Sequence, residues 1–194
     1  MTGVVNIMMN KELPVFQTER LLISALTLKD IKNFVAHRNQ PEVARYQNWY
    51  PVSEAEVEQL IFNQSKAEFG RPDQWYQFAI RLLPDYTFIG DIGLHFVTNF
   101  YRQVEIGYSI SMAYQRKGYG RESVQAVLSY CFSNLNLEIV SATIDVRNTA
   151  SQRLLESLGF QLMATRPHAC YQSEAWCDEA DYGLFAAQRE KVGV

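Results

Sequence analysis

Three strand-like runs joined by turns fill residues 75–112, and helices alternating with strands follow from residue 120. This change of period constrains the fold more than any other feature, because both halves fit together only as a sheet with helices packed on it. The first run, residues 75–83, ends at Pro84-Asp85; the second covers 88–97 and the third 103–112. Short turns between them imply antiparallel pairing. In the third run Glu105, Gly107, Ser109 and Ser111 share one face, and Ile106, Tyr108 and Ile110 take the other if no bulge shifts the register. Residues 120–132 read as the clearest helix, with Val124, Val127, Leu128, Cys131 and Phe132 on one apolar stripe. A buried strand is expected at 138–146 and a helix at 149–158, opened by Thr149-Ala-Ser-Gln152 as a capping box and followed by Gly159. Residues 160–165 and 180–187 read as closing strands.

The first third of the chain is less regular. Residues 1–15 read as a loose lead-in and 16–194 as one domain. A short strand is expected at 21–24. Thr27-Leu-Lys-Asp30 then opens a helix carrying Ile31, Phe34 and Val35, which Pro41 stops. Ser53-Glu-Ala-Glu56 is a full capping box for a second helix bearing Val57, Leu60 and Ile61, ended by Gly70 and Pro72.

Composition excludes several partners. Lys and Arg total 18 against 21 Asp and Glu, a net charge of -3, which argues against nucleic-acid binding. No run of about 18 apolar residues is present to span a membrane, and residues 1–10 do not resemble a secretory signal. Cys131, Cys170 and Cys177 lack framework spacing, so reduced thiols and a cytoplasmic location are expected. Cys131, on the apolar stripe, reads as core filler. His37, His95 and His168 are far apart and predict no metal.

Chemistry concentrates in Gln115-Arg-Lys-Gly-Tyr-Gly120, between a strand and the amphipathic helix. Two glycines one residue apart allow a tight turn with inward N–H groups, and the helix start adds unpaired N–H groups and a positive dipole end. The result is a cradle for a pyrophosphate, with Arg116, Lys117 and Arg121 adding charge. A solvated basic turn is the competing reading. The spacing matches neither a Walker loop nor a dinucleotide fingerprint. One strand later, Asn148 either holds an extended ligand's amides or simply caps the helix.

These pieces in order resemble the GNAT superfamily of N-acetyltransferases, and within it the Rim-type ribosomal-protein N-terminal acetyltransferases. The resemblance rests on Thr18-Glu-Arg-Leu-Leu22, Phe88-Ile-Gly-Asp-Ile-Gly-Leu94, Glu105-Ile-Gly-Tyr108 and Gln115-Arg-Lys-Gly-Tyr-Gly120, the last fitting the acetyl-CoA signature [QR]-x-x-G-x-[GA]. Asn148-Thr-Ala-Ser151, Leu158-Gly-Phe160, Trp176-x-Asp178 and Tyr182 complete it. It implies an α+β GNAT fold: a central mixed, mostly antiparallel sheet of about seven strands flanked by about four helices, splayed between the fourth and fifth strands. It implies that backbone around Ser109 and Ile110 pairs with the pantetheine arm. Gln115, Arg116, Lys117, Gly118, Tyr119, Gly120 and Arg121 then bind the pyrophosphate, and Asn148 and Ser151 lie near the thioester. An amine attacks the acetyl group directly, with no acyl-enzyme.

Two proton steps must be served. Many relatives place a tyrosine acid where this chain has Leu155, and Ser151 is the expected substitute. Glu105 reads as the base or as a structural ion-pair partner, and His168, in the segment after Leu-Gly-Phe, as an alternative base or an incidental loop residue. The favoured acceptor is the α-amino group of a ribosomal protein. A small amine (polyamine, amino sugar or amino acid) stands as an alternative, with Glu54, Glu56 and Glu58 read as its acidic pocket or, more simply, as a solvated helix face, and so does a non-catalytic CoA-binding module. Arg45-Tyr-Gln-Asn-Trp-Tyr50 reads as a wall over the acceptor or an anchor under a loop. A monomer or homodimer is expected.

Overall fold

The three predicted runs form the middle of one sheet as β3 (Gln74–Leu82), β4 (Phe88–Phe96) and β5 (Gln103–Ile110). The computed structural model describes residues 13–47, 52–97, 102–172 and 175–188. Register is continuous from β4 to β5, with Ile92 opposite Tyr108 and Asp91 opposite Ser109, so the alternation expected for β5 holds. Among the described residues the sheet has eight strands in the order β1-β2-β3-β4-β5-β6-β8-β7. The others are β1 (Phe16–Gln17), β2 (Leu21–Ala25), β6 (Ile139–Asp145), β7 (Gln161–Gln172) and β8 (Ala175–Phe185). The pairing of β5 with β6 is parallel, and the rest are antiparallel. A parallel neighbour needs a crossover, supplied here by the predicted amphipathic helix.

Five α-helices are described: α1 (Ile31–Arg38), α2 (Pro41–Ala44), α3 (Glu54–Lys66), α4 (Tyr119–Ser133) and α5 (Thr149–Ser157). The α4 stripe of Val124, Val127, Leu128, Cys131 and Phe132 is buried against Phe78, Ile80, Ile92 and Leu94. On the other face Phe34 of α1 and Val57 of α3 close over Ala79. Both capping boxes in the first third form: Thr27 N–H donates to Asp30 Oδ2 at 2.7 Å, and Ser53 N–H donates to Glu56 Oε2 at 2.7 Å.

Several expectations need correction. The two-residue β1 adds an eighth, edge strand to the expected sheet of about seven. Helix α3 stops at Lys66, short of Gly70, and Pro41 starts α2 as well as ending α1. The cap of α5 is Asn148, whose side chain accepts from Ser151 N–H, one residue before the predicted Thr149 box. Strands β7 and β8 form a longer hairpin than their sequence runs suggest. That hairpin sets Cys170 opposite Cys177, Cα atoms 5.1 Å apart, and they are joined as a disulfide, against the expectation of reduced thiols. Residues 1–12 of the predicted lead-in and Asn48, Trp49 and Tyr50 of the aromatic segment lie outside the described residues.

Candidate active site

Strands β5 and β6 pair only at Gln103–Ile139, Val104–Val140 and Glu105–Ser141. Beyond Glu105 they diverge, while β5 stays paired with β4 as far as Ile110. A cleft of about 520 Å³ opens in the gap, lined by residues 106–110 of β5 and 142–144 of β6. The β6-facing backbone of that part of β5 is a free strand edge. It suits an extended chain carrying amides, such as a pantetheine arm. Gln115 closes its far end by donating from Nε2 to the Ile110 carbonyl at 2.8 Å.

At that end the loop enters α4. Arg116 has φ 60° and Gly118 φ 87°, both left-handed. Helices α3 and α5 start with a side-chain cap from Ser53 and Asn148, whereas α4 starts at Gly118 with none. Its first-turn N–H groups are thus left for a ligand, with the helix dipole behind them. Arg20 holds the loop from outside, donating to the Lys117 carbonyl at 3.2 Å and to Glu122 Oε2 from Nε at 2.8 Å. Gly120 permits a close approach: a Cβ there would stand 3.1 Å from Leu154. Arg116, Arg121 and Arg153 line the cleft against one lining carboxylate, Glu42, so the wall favours an anion. Arg121 is anchored on α5, donating to the Ser157 carbonyl at 2.9 Å.

At the start of α5 the cleft carries a set of neutral polar side chains. Asn148 Oδ1 accepts from Ser151 N–H at 3.1 Å. The Ser151 hydroxyl lies 2.9 Å from the hydroxyl of Tyr108, and all three residues line the cleft. Burial pushes the Tyr108 phenol up to about 12, with the bond to Ser151 opposing. Sequence reasoning misses Tyr108 as a site residue because it alternates with Ile106 and Ile110 and reads as core. The available signal is that a hydroxyl on that face points toward the splay.

The predicted site residues divide. Ser109, Ile110, Gln115, Arg116, Gly118, Gly120, Arg121, Asn148 and Ser151 all line the cleft. Lys117 and Tyr119 do not. Lys117 Nζ bonds the Ala113 carbonyl at 2.9 Å, and Tyr119 lies under the Arg20 guanidinium. Glu105 sits on the other face of β5, its Oε2 3.6 Å from His95 Nδ1. Beside it Trp75 stacks on His95 and lies across Gly93 and Gly107. His168 sits in an irregular part of β7 with φ 51°, its N–H bonded to Asp178 Oδ1 at 2.9 Å, and does not line the cleft. Leu155 is fully buried in the core. Among the described residues no group of His, Cys, Asp or Glu is arranged to hold a metal ion, and no helix is long and apolar enough to cross a membrane.

A splayed strand pair beside an uncapped glycine-led helix agrees with the family model for an acetyltransferase (GNAT) domain, which matches residues 20–161. The chain belongs to the GNAT acetyltransferases. The uncharacterized N-acetyltransferase YoaA of Bacillus subtilis is 31% identical over 173 residues, covering 88% of this chain and 96% of YoaA. Two solved structures share the fold. Spermidine N-acetyltransferase from Vibrio cholerae, in complex with CoA and spermine, superposes with a TM-score of 0.78 at 21% identity, over 89% of this chain and 99% of that one. Ribosomal-protein-S5-alanine acetyltransferase from Vibrio fischeri does so with a TM-score of 0.77 at 19% identity, over 89% and 97%. This GNAT enzyme is an acetyl-CoA-dependent N-acetyltransferase. The free β5 edge and the uncapped α4 fit the donor's amide arm and pyrophosphate, and acetyl-CoA supplies an acetyl group activated as a thioester.

Proposed function

We propose that this GNAT enzyme acetylates the α-amino group of a protein, as the Rim-type branch does, with residues 16–194 acting as one catalytic domain. Residues 106–110 and the loop from Gln115 to Arg121 hold the donor in the cleft, with its thioester toward Asn148 and Ser151. The amine reaches it from the face of β5 that carries Glu105, beside Gly107 and the Trp75 ring. Glu105 takes the amine proton, directly or through water, with His168 as the alternative. The amine nitrogen forms its bond to the acetyl carbon, the carbon–sulfur bond breaks, and the sulfur gains a proton from the side of Ser151.

The observation that favours a protein terminus over a polyamine is the placement of the expected acidic pocket. Glu54, Glu56 and Glu58 are exposed on the outer face of α3, and Glu56 is occupied in the Ser53 cap. The test is an acceptor panel with acetyl-CoA: short peptides with free and with blocked N-termini, spermidine, an amino sugar and free amino acids. Release of CoA thiol is followed, and products are mapped by mass spectrometry. Acetylation of free peptide N-termini alone is expected. Fastest turnover on spermidine or the amino sugar would overturn the reading.

A further inference from the structure

We propose that Tyr108 is a positioning residue that aims the hydroxyl proton of Ser151 into the cleft, so that a strand supplies what the helix lacks at Leu155. The inference rests on the assignment of Ser151 to the leaving sulfur made above.

Ser151 has two polar handles, and both are held. Its N–H is taken by Asn148 at 3.1 Å, and its hydroxyl lies 2.9 Å from the Tyr108 hydroxyl. In that contact one hydroxyl donates and the other accepts, and the acceptor's own proton is left over. A phenol is far more acidic than an alkyl alcohol, and its oxygen is the poorer acceptor because its lone pair is delocalised into the ring. Tyr108 therefore donates and Ser151 accepts. The remaining proton is that of Ser151, and it is free to turn into the cleft.

Without the phenol, a serine in the first turn of a helix tends to spend its hydroxyl on nearby backbone carbonyls. Tyr108 removes that alternative. It does so at every working pH, because burial holds the phenol up at about 12. For the same reason the phenol does not give up its proton. During the reaction the carbon–sulfur electron pair stays on sulfur, which accepts a hydrogen bond from the Ser151 hydroxyl and takes its proton from water. The serine oxygen, steadied by the Tyr108 donor, keeps its hydrogen aimed at the sulfur throughout.

Leu155 itself is fully buried among core residues and has no proton to give. Tyr108 approaches the same helix start from the opposite wall.

The experiment is a double-mutant cycle on turnover, using the acceptor that the panel identifies. Tyr108→Phe keeps the ring and removes only the hydroxyl, and Ser151→Ala removes its partner. Each single variant should lower kcat roughly 10–100-fold while the KM for acetyl-CoA stays within about twofold. The double variant should be no slower than Ser151→Ala, because the phenol acts only through the serine. Melting temperatures and the acetyl-CoA-induced shift in melting show that each variant is folded and binds the donor. An unchanged kcat in Ser151→Ala would sink the serine assignment beneath the proposal. A slow Ser151→Ala with an unchanged Tyr108→Phe, or effects that multiply in the double variant, would overturn the role of Tyr108 alone. A Tyr108→Phe defect confined to the KM for acetyl-CoA would mean that the phenol merely shapes the cleft.

Discussion

The two faces of β5 are built on opposite rules. On the face toward α1 and α3 the polar side chains are tied to one another. Ser109 donates to Asp91 Oδ1 at 2.7 Å, and His37 spans Ser109 and Ser111 with its two ring nitrogens at 2.7 and 2.8 Å. Asp91 Oδ2 also takes Arg38 at 2.6 Å and the Gln77 amide. His37, Asp91 and Ser109 are all buried. On the face toward α4 and α5, one hydroxyl pair, Tyr108 with Ser151, stands at the edge of an open cleft. The Asp91 cluster spends these donors and acceptors internally, and its work is to hold that part of β5 still. The open face leaves a strand edge, a helix start and one serine proton uncommitted, and those are the groups on which acetyl transfer draws.

Breaking the closed face should cost stability most. Asp91→Ala strands Arg38 and His37 without their carboxylate, a loss of about 3–5 kcal/mol for a broken buried pair. At this size that is a fall of roughly 6–20 °C in melting temperature. A fall under about 3 °C would mean that the cluster holds nothing. The same carboxyl carries a pH signature. Burial alone would push it up, but Arg38 and His37 outweigh burial and hold it at about 2 against an ordinary 3.8. A depressed carboxyl contributes its stability above the unfolded value and loses it as pH falls. About 2 kcal/mol should therefore vanish between about pH 4 and pH 2. Urea melts across that range test it, and Asp91→Asn should flatten the slope.

Breaking the open face should cost binding instead. Gly118→Asp places a side chain at a left-handed residue and a negative charge at the uncapped start of α4. Acetyl-CoA at about 100 times its dissociation constant should stabilise the parent by roughly 2.7 kcal/mol, and this variant by nothing measurable. A retained shift would mean that the pyrophosphate is held elsewhere.

Sequence makes the local patterns of this site legible and the tertiary ones not. Alternation places Glu105, Gly107, Ser109 and Ser111 together, and the glycine spacing at 118 and 120 marks the cradle. Both signals are local. The cluster around Asp91 is not legible, because its members come from α1, β3, β4 and β5 and meet only through tertiary packing. Tyr108 is hidden for a related reason. Periodicity assigns a residue to a face without saying that the sheet splays beneath it. The Cys170–Cys177 pair escapes because the hairpin joining them shows irregular register between Arg166 and Cys170, which breaks the strand pattern. The cap at Asn148 is legible as one of two readings, and a ligand-side role for the same side chain is compatible with it.

The smallest effect should come from the boundary between the faces. Gly93 and Gly107 are cross-strand neighbours under Trp75, yet they are not equivalent. A Cβ at Gly93 would stand 2.8 Å from Gln77 Oε1 and disturb the closed cluster, whereas at Gly107 the nearest atom is 3.6 Å away on Trp75. Gly107→Ala is thus an ordinary contact that adds one methyl group where the acceptor is proposed to arrive. Melting should move by no more than about 2 °C, within the range of a mild surface change. The KM for the peptide acceptor should rise a few-fold while the KM for acetyl-CoA holds. If instead the acetyl-CoA KM rises and the peptide KM holds, Gly107 belongs to the donor's side of the strand, and the amine must enter from the cleft itself.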